Sequence, residues 1–349
     1  PPTPVPAVAP PPSALSTARY AHTGTVLNNG QILLAGGKGN SGPLNTAELL
    51  DPATGAVTSA GIMAEAHSGH TATLLGNGKV LIIGGDSSGS PFTPVADLYD
   101  PGTNSWSSAG RLTQERAQHT ATLLSDGKVL VTGGHNAETF LATSELYDPA
   151  SNSWQAIAPM AHARNFHTST LLRDGRVLVA GGFASENTSE IFNPSNGSWT
   201  PAANLNSARF GHTATLLPDG QVLLAGGSTS GSEGYLAGAE RYDAAANTWT
   251  PAARMANPRD SHSATLLPGG KVLVAGGRDR THALTGAELY DPATNTWSDA
   301  GALGAARWLH AAMPLPGGEV IVAGGKGDAD PLASGERYDP ATNRWRSGS

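Results

Sequence analysis

At 349 residues the chain can bury one extensive core, and 39% hydrophobic with 14% charged residues exclude a disordered tail or a coiled coil. A formal charge of −7 with no basic block argues against nucleic acid as a partner, and no apolar run reaches the ~18 residues needed for membrane insertion. Cysteine is absent, which excludes disulfides, zinc–thiolate centres, iron–sulfur clusters and a cysteine nucleophile.

In chain order, residues 1–16 hold seven prolines and no charge, and are expected to form a Pro-rich linker or stalk. The chain starts at Pro1 rather than methionine, so a processed or trimmed N-terminus is expected, and a binding module presented on such a stalk is expected in an extracytoplasmic location (secreted, periplasmic or cell-surface). Residues 17–349 read as one domain of seven repeats. Histidine opens each repeat, at His22, His70, His119, His167, His212, His262 and His310, with spacings of 48, 49, 48, 45, 50 and 48 residues. A Gly-Gly pair follows at the same phase in every repeat, beginning at Gly36, Gly84, Gly133, Gly181, Gly226, Gly276 and Gly324.

Each repeat reads as "HTATLL", a tight Asp-Gly, Asn-Gly or Gly-Gly turn, "KVLVAGG", a variable stretch, "AELYDP" and "ATNTW". Two apolar runs about a tight turn predict a hairpin, and the last two segments predict two further strands, called a to d in chain order. Four-stranded units of this period, each with a face too apolar to stand alone, pack radially as propeller blades. Six repeats carry an aromatic in strand c (Tyr99, Tyr147, Phe192, Tyr242, Tyr290 and Tyr338) and a tryptophan in strand d (Trp106, Trp154, Trp199, Trp249, Trp297 and Trp345). The first repeat departs, with Leu50 and Val57.

The Gly-Gly pair, tyrosine and tryptophan together resemble the kelch repeat. The resemblance implies an all-β fold, a seven-bladed kelch β-propeller with four antiparallel strands per blade, expected as a monomer. Galactose oxidase has similar repeats, but its copper–radical site needs a cysteine that this chain lacks. No phosphate-loop, dinucleotide, zinc-hydrolase or calcium motif stands where its mechanism would require, so no cofactor, metal or catalytic residue is assigned.

The a–b and c–d turns are short and uniform, whereas the d–a and b–c connections vary, so a ligand is expected on the d–a/b–c loop face. Three residues before each histidine stand Arg19, His67, Arg116, Arg164, Arg209, Arg259 and Arg307, and strand c opens with Glu48, Asp97, Glu145, Glu190, Glu240, Glu288 and Glu336. His67 and Asp97 are substituted together, which points to a structural ion pair repeated around the ring. The seven histidines are expected to bond neighbouring groups rather than a metal.

Two further sets vary freely: the residue after each d–a arginine position and the residue after each Gly-Gly. Repeats 6, 7 and 1 supply Arg278, Trp308, Lys326, Tyr20 and Lys38 in succession. With Phe210, these are the expected ligand-binding residues. The expected function is a non-catalytic binding module for a protein segment or glycan. The alternative is a sugar mutarotase or isomerase on the same face, for which Glu115-Arg116 or Arg259-Asp260 would be candidates.

Overall fold

A computed structural model describes residues 10–88, 91–232 and 234–347. The first nine residues of the expected stalk lie outside the described residues. Among the described residues there is no helix, and seven four-stranded antiparallel sheets are each formed by consecutive segments of the chain. Blade 1 comprises Thr23–Val26, Ile32–Ala35, Thr46–Leu50 and Val57–Ile62, paired in that order. Blade 7 comprises Ala311–Pro314, Val320–Ala323, Gly335–Asp339 and Arg344–Ser347. First strands of adjacent blades lie side by side around the axis, and that of blade 7 meets that of blade 1. The ring is closed, and the fold is the seven-bladed propeller expected.

Burial explains the strand sequences. Every residue of strand b is buried in all seven blades, as in Val80–Ile83 and Val272–Ala275, because neighbouring blades cover both faces. Strand d is the outer edge and carries the polar residues. Its tryptophan bridges blades: the six indole Nε1 groups donate to backbone carbonyls of the preceding blade at 2.7–3.0 Å. The strand-c tyrosine is buried beneath it, with ring centroids 5.0 Å apart for Tyr99 and Trp106.

Blade 1 has no such tryptophan, so the seam between blades 7 and 1 closes differently. All four strands of blade 7 come from the C-terminal end, and none is borrowed. Residues 11–15 instead run along this seam. Ser13 N donates to Gly55 O (2.9 Å) and Leu15 N to Ala333 O (2.8 Å), while Pro12 covers Gly335. Leu15 is buried in a cluster with Ile32, Leu34, Met313 and Ile321. Met63, Leu112, Met160, Leu205, Met255 and Leu303 hold the same place elsewhere, each with its amide bonded to the corresponding carbonyl. The propeller therefore includes residues that the composition assigns to the linker.

Leu15→Ala is expected to destabilise the propeller by about 2–4 kcal/mol, since a buried leucine is truncated at the closing seam. Urea unfolding measures this directly. A change below about 0.5 kcal/mol would show that the segment merely rests on the surface.

Candidate functional site

The loop face is built on a buried frame. In six blades the guanidinium before strand a donates through Nη2 to the strand-c glutamate at 2.6–3.1 Å. The arginines and glutamates are all buried. In blade 1, Arg19 Nη1 also donates to Gly36 O (2.7 Å) and Thr46 O (2.9 Å), and Glu48 accepts from the Ser16 amide (2.7 Å). One ion pair thus ties the Gly-Gly turn, strand c and the incoming linker. In blade 2, His67 replaces arginine: Nδ1 donates to Gly84 O (2.7 Å) and Nε2 faces Asp97 at 3.2 Å.

The second glycine of each pair donates its amide to the carbonyl of the next blade's arginine or His67, closing the circle with Gly325 N to Arg19 O (2.8 Å). Both glycines are at positive φ, and a Cβ on Gly36 would press into His67 O and the His70 ring. Six of the opening histidines bond through Nε2 to the first hydroxyl of strand a in the preceding blade, at 2.9–3.0 Å. At the closing seam Ala311 offers no hydroxyl, and neither His22 nitrogen has a partner among the described residues. No group of three or more His, Asp or Glu side chains that could hold a metal occurs among the described residues.

On this frame stands a crown of paired residues around the mouth of the ring. Antiparallel bridges pair Tyr20 with Lys38, Ser68 with Asp86, Ala117 with His135 and Asn165 with Phe183. They also pair Phe210 with Ser228, Asp260 with Arg278 and Trp308 with Lys326. Just inside runs a closed circle of backbone hydrogen bonds, 2.9–3.2 Å, through Ala21, Gly69, Gln118, Phe166, Gly211, Ser261 and Leu309. All seven are left-handed, with φ between 50° and 62°.

Five of the six expected ligand residues form one arc. The Arg278 guanidinium lies 4.2 Å from the Trp308 ring, and Lys326 Nζ lies 5.4 Å from Tyr20 and 5.9 Å from Trp308. Tyr20 and Trp308 are 6.4 Å apart, and Lys38 is bridged to Tyr20. Arg278 is also anchored by the buried Asp260 (3.0 Å), whose other oxygen accepts from Ser228 Oγ (2.5 Å). Phe210 does not belong to this arc. Its ring packs on Phe183 at 5.4 Å, and Phe183 packs on Phe140 at 5.3 Å, so it joins side chains of blades 3 and 4 instead.

That second, aromatic arc escapes the sequence reading. Phe140 and Phe166 lie outside the two residue sets used to find the mouth. Arg116 and Arg259 are committed to Glu145 and Glu288, so neither is free to serve the alternative enzymatic reading. At the opposite end of the ring a depression of about 450 Å³ involves Arg173, Asp174 and Arg176. It is made of turn residues, and Asp174 is already paired with Arg176 (2.6 Å).

The ring, its Gly-Gly frame and its Tyr–Trp pairs define a repeat-built β-propeller. The chain belongs to the kelch-repeat family: the KLHDC2/KLHL20/DRC7 Kelch-repeats domain matches residues 7–182 and 166–349. No curated protein sequence matches it. Among solved structures it is similar to a copper-bound fungal alcohol oxidase of the AA5 family, at 20% identity and TM-score 0.79, over 94% of this chain and 75% of that one. It is similar also to YjhT, at 14% identity and TM-score 0.62, over 97% and 99% of the two chains. At these identities the likeness shows the fold alone.

Arg209→Ala is expected to lower stability by about 3 kcal/mol, because it leaves Glu240 buried without its charge partner. An unchanged urea midpoint would show that the arginine is not structural. The histidines give a second expectation. Burial lowers the pKa of His22, His119, His262 and His310 from 6.5 to about 3, and holds His70, His167 and His212 well below 6.5. Above pH 6.5 folded and unfolded chains both carry neutral rings. Below it the unfolded chain takes up protons that the folded chain refuses, so stability falls from pH 6.5 toward 3. The slope approaches about 1.4 kcal/mol per pH unit for each histidine. Unfolding midpoints measured from pH 7.5 to 4.5 should fall steeply, and a flat profile would contradict the buried ring.

Proposed function

We propose that the protein is a non-catalytic binding module that takes an acidic segment of a protein partner on its d–a/b–c loop face. The arc Arg278, Trp308, Lys326, Tyr20 and Lys38 is the contact. The observation that carries this reading is the continuous stack of two cations and two aromatic rings contributed by blades 6, 7 and 1. Such a surface favours carboxylates through charge-assisted hydrogen bonds and apolar neighbours through ring contact. Support comes also from position: the arc rests on the rigid frame, and its residues vary from blade to blade where the frame does not.

The test has two stages. A peptide and glycan array identifies a ligand, and the triple variant Arg278→Ala, Trp308→Ala, Lys326→Ala is then measured against it at low salt, where charge contributes most. Acidic peptides should be captured, with affinity at least tenfold weaker in the variant, whose circular dichroism shows the propeller still folded although the buried Asp260 has lost its charge partner. Affinity within twofold of the parent, or capture of neutral glycans alone, would overturn the reading.

A further inference from the structure

Across the mouth from the cationic arc lies a cavity of about 500 Å³ contributed by blades 2 to 5. Its walls are phenyl rings: Phe140, Phe166, Phe183 and Phe210. Among the described residues only five large apolar side chains are exposed, and three of them, Phe140 (36%), Phe166 (36%) and Phe183 (37%), converge here. Phe166 also sits in the left-handed region, at φ 51°, which is unfavourable for a bulky residue. It shares this conformation with the other six residues of the inner circle, so the frame fixes where its ring stands.

The polar groups are few: Asp86, Gln118, His135 and Asn165. Asp86 lines the cavity, and the ring of His135 and the ammonium of Lys38 act on its carboxylate through space without either being hydrogen-bonded to it among the described residues. Asn165 is buried to 96%, by its exposure of 4%, and its amide bonds His135 Nδ1 at 3.2 Å. Its Oδ1 has no partner among the described residues. Burial lowers the pKa of His135 and so favours its neutral ring. The cavity therefore offers one negatively charged acceptor, Asp86, beside neutral polar groups inside an aromatic wall.

We infer that this cavity is a second binding site, distinct from the cationic arc, and that it takes an ammonium group carried on an apolar stem. The ammonium meets the Asp86 carboxylate, which accepts its N–H donors. The stem packs against Phe183 and Phe210, and the faces of the rings attract the cation. A neutral stem of the same shape leaves Asp86 unpaired in a desolvated cavity and loses affinity. Burial raises the pKa of Asp86, opposed in part by the neighbouring His135 and Lys38.

The test uses the whole chain and three probes followed by nuclear magnetic resonance titration: n-butylamine, an Nα-acetylated lysine methylamide, and the same lysine acetylated at Nε. Both amines should bind, and the Nε-acetylated probe should bind at least tenfold more weakly. The tighter of the two amines tells whether a free amine or a lysine side chain is the natural source. Asp86→Asn, which removes no hydrogen bond of the frame, should cost at least tenfold with an unchanged melting temperature. Phe183→Ala should cost a similar factor. Failure of both amines to bind at millimolar concentration, equal binding of the neutral probe, or an indifferent Asp86→Asn variant would overturn the inference. The cationic arc is tested separately, by its own triple variant against acidic peptides.

Discussion

The architecture of the loop face depends on the buried pairing of one arginine with one glutamate in each of six blades. Burying a lone guanidinium or carboxylate is costly, and an ion pair offsets this only when its remaining donors and acceptors are also met. Here they largely are. In blade 5, Arg209 Nη1 donates to the carbonyls of Gly226 (2.7 Å) and Gly238 (3.1 Å), and Glu240 accepts from the amides of Asn206 (2.7 Å) and Ser207 (2.9 Å). The pair thereby fixes the backbone on both sides of itself. The residue after the arginine and the residue after the Gly-Gly are forced into register and bridge each other. A rigid frame thus presents fourteen side chains around one opening, and their identities are free to differ.

The same frame holds backbone strain. Five of the seven residues in the inner hydrogen-bonded circle are not glycine, although every one is left-handed. Each costs about 1 kcal/mol or more relative to a relaxed backbone, and persists because the surrounding contacts over-determine it. Glycine at positions 69 and 211 shows that the circle can form without strained residues. The left-handed backbone is thus set by the ring, and strain at Phe166 and Leu309 comes from the side chains that stand there.

Much of this was legible in the sequence, because seven copies of one unit act as an alignment within a single chain. The repeated positions gave the strands, the ion pairs through the joint departure of His67 and Asp97, and two sets of mouth residues that the structure pairs one to one. The rest was hidden for identifiable reasons. Phe140 lies in a b–c loop of variable length and Phe166 one residue beyond the set examined, so their convergence with Phe183 depends on loop geometry. The partnership of Asp260 with Arg278 is a sideways contact between two freely varying positions. Leu15 was masked by the proline-rich composition around it. Its signal was nevertheless present, because a leucine or methionine stands seven residues before every opening histidine.

The central claim is that repeated residues make the fold and departing residues at the mouth make the site. The most direct measurement is the urea-unfolding free energy of the triple variant Phe140→Ser, Phe166→Gly, Phe183→Ser. If the phenyl rings serve a ligand, the variant should match the parent within about 1 kcal/mol, since relief of strain at position 166 offsets the lost ring contacts. A loss of several kcal/mol would show that the aromatic mouth is part of the core, and would contradict the division on which the account rests.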